Sequence, residues 1–191
     1  MRRLIYVPII HTEADMGSLK ELLKQKYIEQ VGEKAWEEHK KTVEETWQDI
    51  EKGLEALGLP YSRVKLYQDG LPCCGREPEL VKELAAEGNP NYQLLLKLME
   101  KGAEVVGTED PVLLLEEYRS LLHPPKAERK SALGGQVRLK KRDTFIAQRI
   151  HHSLKEGEIG ILFLGLLHRV DKELPSDIQV EFFLEHLSQR A

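Results

Sequence analysis

The sequence predicts an α/β fold, a mainly parallel or mixed sheet covered by helices on both faces, and three kinds of observation predict it. The runs Leu4 to Ile10 and Ile159 to Leu167 are apolar almost throughout, the pattern of strands buried on both faces rather than one. Shorter strand-like runs alternate with stretches whose apolar residues recur every three or four positions, so strands and helices interleave along the chain. The 191 residues suit one domain, and a chain of that size hides roughly 70% of its unfolded surface, which supplies a core without metal or disulfide staples. Residues 1–191 are therefore read as a single α/β domain with an inserted helical hairpin over about 18–58 and a flexible loop over about 123–137.

The first strand is Leu4-Ile5-Tyr6-Val7-Pro8-Ile9-Ile10, in which Pro8 removes one ladder donor, and His11 falls at its end. Its basic lead, Met1-Arg2-Arg3, has the look of a signal peptide, but the apolar run is short, contains Pro8 and gives way to His11 and Glu13. Ser18 and Glu21 fit a capping box, with Leu19, Leu22, Leu23 and Tyr27 following at helical spacing. After Gly32 a longer stripe, Trp36, Val43, Trp47, Ile50, Leu54 and Leu57, completes a helical hairpin, with Lys40 in one of its slots. Pro60 closes the hairpin, and Arg63 to Tyr67 alternates polar with apolar as a partly exposed strand does, before a turn at Gln68-Asp69-Gly70.

Pro78 opens a short helix through Leu84, and Asn89-Pro90 reads as the cap and first residue of another that runs to Gly102. Ala103 to Gly107 is a third strand. Asp110-Pro111 repeats the cap-and-first-residue pair for a helix over Leu114, Leu115 and Tyr118. From His123 to Val137 the composition turns to Pro, Lys, Arg, Ser and Gly, which predicts the loop. Phe145, Ile146, Ile150 and Leu154 mark a helix ending near Gly157, Ile159 to Leu167 is the most apolar strand, and His168 stands at its end. Ile178 to Phe183 is the last strand, with a short tail helix behind it.

Composition narrows the function classes. A hydrophobic fraction of 41% beside 31% charged residues excludes a disordered chain, and no apolar run approaches the roughly 20 residues that cross a bilayer. With 28 basic against 32 acidic residues, the net charge of −4 argues against a phosphate backbone as partner. The expectation is no nucleic acid and no membrane. The two cysteines, Cys73 and Cys74, are adjacent, which rules out a secreted disulfide framework and leads to a cytoplasmic expectation. GxSxG, P-loop and dinucleotide glycine patterns do not occur in the sequence.

In open α/β sheets, ligands bind outside the carboxyl ends of strands, and His11, Asp69, Glu109 and His168 each follow a strand run. Imidazoles and carboxylates converging from different strands suit zinc, manganese or iron. The plainer alternative is that polar residues follow strands because strands end at the surface. Arg142 lies one turn before Ile146 on the inward stripe, where its planar fork of donors suits an oxyanion or a substrate carboxylate, or else a salt bridge. Glu13 and Asp15 follow His11 closely and fit either the same metal or the turn into the next helix. Cys73-Cys74 lacks zinc-site spacing and reads as a pair of structural thiols, while His151-His152 points to different helix faces and reads as surface.

Arg142-Asp143-x-x-Ile146-Ala147-x-x-Ile150, a glycine turn, an apolar strand and Gly165-x-x-His168 occur in that order, with Gly107-Thr108-Glu109 before them. In this the chain resembles the TraB/Tiki group of the erythromycin-esterase and ChaN-like superfamily, over most of its length outside the Ser18 to Leu57 hairpin. The resemblance implies a GxxH element ending the first strand, here Pro8-Ile9-Ile10-His11 without its glycine, and an acidic residue ending the second, here Asp69. It implies metal-dependent peptide or amide hydrolysis, metal-free ester hydrolysis, or, as in ChaN-like members, haem binding without hydrolysis.

The expectation is therefore a hydrolase of peptide, amide or ester bonds acting on a small-molecule or peptide substrate. Glu109, Arg142 and Asp69 are its catalytic candidates, and His11, His168 and Glu109 the ligands of a divalent metal (Mn, Zn or Fe). The alternative is a non-catalytic protein that binds a small molecule or haem in the same cleft. A homodimer through the 18–58 helices is also expected, since an apolar stripe about six turns long exceeds what a small sheet covers, unless the Ser18 helix folds back along it.

Overall fold

The computed structural model of the protein describes residues 1–9, 20–122 and 128–183. Its elements are β1 (Arg2–Ile9), α1 (Lys20–Val31), α2 (Glu33–Ala56), β2 (Val64–Gln68), α3 (Glu77–Ala86) and α4 (Pro90–Glu100). There follow β3 (Glu104–Val106), α5 (Pro111–Leu122), α6 (Glu128–Ser153), β4 (Ile159–Gly165) and β5 (Ile178–Phe182). The five strands form one sheet in the order β3-β2-β4-β1-β5, every pair parallel. The α/β class read from the apolar runs is the class observed.

Alternation along each strand divides the core in two. Ile5, Val7 and Ile9 of β1, Leu66 of β2 and Ile161 and Phe163 of β4 pack on one face against Val43, Trp47, Ile50 and Leu54 of α2, Val81 of α3 and Leu94, Leu95 and Leu98 of α4. Leu4, Tyr6, Tyr67, Val106, Leu162 and Leu164 pack on the other, against Ile146, Ala147 and Ile150 of α6. The chain moves toward β3 with its helices on the first face and returns to β4 with α6 on the second, so these crossovers share one hand.

The cap-and-proline signals hold at both helices that carry them. The Asn89 side chain accepts from the backbone of Asn91 at 3.1 Å and of Tyr92 at 3.5 Å, and Asp110 Oδ1 accepts from Val112 N at 2.7 Å. Other readings change. All of Val64–Gln68 is buried rather than partly exposed, because β2 lies inside the sheet between β3 and β4; Lys65 is accommodated by its stem, with Nζ reaching Glu104 at 2.7 Å. The loop expected over 123–137 gives way to helix from Glu128: Lys, Arg, Ala and Leu are good helix formers, Gly134-Gly135 is tolerated inside a long helix, and Arg138 ties it to Glu117 and Ser120 of α5 at 2.8 Å each.

The 18–58 hairpin forms the crossover from β1 to β2, and its stripe is covered within one chain. Trp36, Val43, Trp47, Ile50 and Leu54 are buried. Trp47 meets Phe163 of β4 at a ring separation of 6.2 Å, and Trp36 meets Tyr27 of α1 at 5.3 Å. Each such burial stabilises the fold by about 1.5–3 kcal/mol, so these stripe residues are spent on the chain's own core and give the expected dimer no support. Among the described residues no helix is long and apolar enough to cross a membrane. His11, Glu13, Asp15 and Ser18 lie outside the described residues, as do 123–127 and the tail helix expected after β5.

Candidate active site

β2 and β4 are neighbours, yet the chain leaves them in opposite directions, from β2 outward to β3 and from β4 past β1 to β5. Divergence of this kind opens a crevice at the carboxyl ends of the two strands. Asp69, Glu109 and His168 meet there, each offering a ligand atom within 4.8 Å of the others.

Local structure fixes each of them. Asp69 directly follows β2, its N–H donating to the Phe163 carbonyl of β4 at 2.9 Å. Thr108 stitches the end of β3 to β2, its hydroxyl accepting from Gln68 N at 2.9 Å and donating to the Val106 carbonyl at 3.0 Å. Glu109 N then donates to the Leu71 carbonyl at 3.0 Å, and the Glu109 carbonyl accepts from Cys73 N at 2.8 Å. Gly107 has to be glycine for this docking: a Cβ there would stand 2.5 Å from Glu77 Oε1 and 2.7 Å from Cys73 Cα. His168 is carried by the turn after β4, its N–H donating to the Gly165 carbonyl at 3.1 Å.

α6 supplies the counter-groups. Arg142 grips Glu109 through both carboxylate oxygens, Nε to Oε2 at 3.0 Å and Nη2 to Oε1 at 2.5 Å, and Nη2 also donates to Asp69 Oδ1 at 2.7 Å. Gly165 N donates to the second Asp69 oxygen, Oδ2, at 3.0 Å. The next residue, Asp143, turns to His168: Oδ1 lies 2.5 Å from Nδ1, and Oδ2 accepts from Arg169 N at 2.9 Å. The ring is thus fixed through Nδ1 by a carboxylate, the arrangement that sets the orientation of an imidazole, and its Nε2 stands 3.6 Å from Asp69 Oδ2. Asp69, Glu109, Asp143 and His168 are each no more than 5% exposed.

Burial pushes the Glu109 carboxyl above its usual range, and Arg142 beside it only partly offsets the effect. Burial works against the charge of Arg142, but its hydrogen bonds to Glu109 and the nearby Asp69 carboxylate outweigh that and hold it above its ordinary range. His168 lines a cleft of about 330 Å³ together with Tyr6, Leu166, Arg169, Asp171, Lys172 and Phe182. The Tyr6 phenol is pushed up to about 12, by burial first and then by the carboxylates of Asp171, Asp143 and Asp69, so it is a neutral donor at ordinary pH.

The structure thus brings together Asp69, Glu109, Arg142 and His168. The anion expected beside Arg142 is supplied by the chain's own Glu109 and Asp69. Asp143 and Tyr6 join the site without having been singled out, although Asp143 stands beside Arg142 in the motif that the resemblance rests on. Carboxylates and an imidazole fit a divalent metal in type and number, and Asp143 behind His168 is the usual carboxylate support for a ligating imidazole; Arg142, however, already occupies oxygens of both carboxylates. Cys73 and Cys74 are free thiols, and burial raises that of Cys73, which disfavours a reactive thiolate. His151 and His152 are exposed on α6. Set against family models, curated proteins and solved structures, the chain matches none of them.

Proposed function

We propose that the protein is a hydrolase of amide or ester bonds in small molecules or peptides, of the TraB/Tiki-like type, with His168 as its base. The observation that carries this reading is the buried Asp143–His168 pair at 2.5 Å, which fixes an imidazole that lines the cleft, with Nε2 3.6 Å from Asp69 Oδ2. In this scheme Nε2 takes a proton from water as the oxygen attacks the substrate carbonyl, and the imidazolium returns it to the leaving nitrogen or oxygen. Asp143 stabilises the imidazolium without taking its proton. The Arg142 guanidinium is taken up by Glu109 and Asp69, so its part is to hold those two carboxylates in place, and Tyr6 is the neutral donor at the cleft wall that a developing oxyanion would meet. Free Cys73 and Cys74 fit a reducing compartment such as the cytoplasm.

A metal-dependent variant of the same reading is favoured by the mutual approach of Asp69, Glu109 and His168; these residues, with His11, would hold zinc, manganese or iron, which would lower the pKa of a bound water toward neutrality. Hydrolysis of an ester and amide panel by the full chain tests both. His168→Asn and Asp143→Asn are expected to lower kcat/KM by about 10²-fold or more. Loss of activity on chelation, restored by one of the three metals, selects the metal-dependent variant. Turnover unchanged in His168→Asn removes the proposal, and ligand binding without turnover replaces it with a non-catalytic binder. For such a binder, a cleft of about 330 Å³ stands at the small end of ligand sites and favours a small molecule over haem.

A further inference from the structure

We infer that the cleft beside His168 takes a ligand with an apolar body and one carboxylate, of the class of N-acylated amino acids and short peptides with a free C-terminus. The inference rests on the hydrolase reading only for the bond that is cut; recognition of the ligand stands on the walls of the cleft.

One wall is apolar and open. Tyr6 and Phe182 are register partners on β1 and β5, their rings 5.4 Å apart and inclined at 44°. Phe182 is 39% exposed and Leu166, on the turn after β4, 58% exposed. Large apolar side chains left uncovered directly beside a buried polar centre mark a surface that a ligand covers. The rest of the lining carries two cations, Arg169 and Lys172, and one carboxylate, Asp171. Arg169 Nη1 donates to the carbonyls of His168 at 3.2 Å and Leu166 at 3.4 Å, so the guanidinium is braced at the rim rather than swinging free, and Lys172 stands one turn on, with Nζ 3.2 Å from Asp171 Oδ2.

The interior decides where an anion sits. Asp69, Glu109 and Asp143 bring more negative charge than Arg142 offsets, so a ligand carboxylate is repelled from the depth of the site and held at the rim by Arg169, while Lys172 offsets the Asp171 carboxylate beside it. The ligand's apolar body then lies on Tyr6, Phe182 and Leu166, which leaves its amide or ester carbonyl beside His168 in the same cleft. The volume of about 330 Å³ holds an acylated amino acid and excludes a folded protein segment.

Calorimetric titration of the full chain with N-acetyl-L-phenylalanine and with its neutral amide tests this directly. The acid is expected to bind about fivefold more tightly than the amide, a preference that added salt erodes. Lys172→Gln and Arg169→Gln are each expected to bring the ratio below about twofold, and because Arg169 also braces two carbonyls, Lys172→Gln alone is sufficient. Phe182→Ala weakens both compounds alike. Equal affinities, or no binding of either compound at millimolar concentration, overturn the inference. Cleavage of neutral esters without any acid preference defeats it and leaves the hydrolase reading intact; the acid preference persisting in a protein that turns over no ester or amide does the reverse.

Discussion

The two ends of the sheet handle charge in opposite ways. At the amino end the cations are buried and their partners wet. Arg2, 6% exposed, donates through Nε and Nη2 to Asp177 at 2.9 and 2.6 Å and through Nη1 to the carbonyls of His151 and Leu154 at 2.7 and 3.1 Å. Lys65 likewise reaches Glu104, whose side chain is 67% exposed. At the carboxyl end the carboxylates themselves are buried, and a single guanidinium serves Glu109 and Asp69. The first arrangement fastens the C-terminal end of α6, where carbonyls lack helical partners, to the amino end of β1. The second takes several ions out of water, a burial that hydrophobic residues of similar volume would match or exceed in stability. Charge is kept there at a loss of stability, which is the pattern of sites that do chemistry.

The contrast can be broken most sharply at the arginines. Arg142→Met strips Glu109 and Asp69 of their partner and is expected to destabilise the fold by about 3–5 kcal/mol in urea denaturation, with Glu109→Gln added to it recovering a large part. Arg2→Met leaves two helix-end carbonyls unpaired but partly reachable by water, and about 1–3 kcal/mol is expected in the same measurement. A double variant that recovers nothing at the carboxyl end would show that the two ends do not differ in kind.

The smallest effect is the response to pH, and it has opposite signs at the two ends. Glu109 is held above its ordinary value of 4.5 when folded. Between that value and the raised one the folded chain binds more protons than the unfolded chain, so this residue's contribution to stability rises as pH falls through the window. Asp177 is held below its ordinary value of 3.8, chiefly by its hydrogen bonds with Arg2; its contribution is present above that value and is lost as pH falls through the lowered one. Urea midpoints measured from pH 7 down to about 3 should lose the upper feature in Glu109→Gln and the lower in Asp177→Asn. Identical profiles for wild type and both variants would remove the assignment.

Much of this architecture is legible in the residues. Continuous apolar runs gave β1 and β4 their central places, and Asn89-Pro90 and Asp110-Pro111 placed two helix starts, because caps are local and carry their own hydrogen bonds. The rule that ligands gather at strand ends found Asp69, Glu109 and His168. What failed was tertiary. Arg63 and Lys65, alternating with apolar residues, made β2 read as partly exposed, since no periodicity records that a lysine stem lies along a buried strand with its amine paired outside. Asp143 escaped notice because its role depends on His168, 25 positions further on, and nothing in the helical pattern of α6 announces which strand end its next residue will meet.

The strand order has a consequence for how such a chain is made. β4 lies between β1 and β2, and the partners of β1 are β4 and β5, so a nascent chain holds no strand for β1 to pair with until Ile159 onward has left the ribosome. Before that point only β2 and β3 can join, and the apolar edges of β1 and β2 stay bare, an invitation to wrong partners during synthesis. The insertion of β4 closes both edges and delivers His168 to Asp143 in the same event. Chains that end before β4 therefore carry no Asp143–His168 pair, and the appearance of that pair reports that β4 has joined β1 and β2.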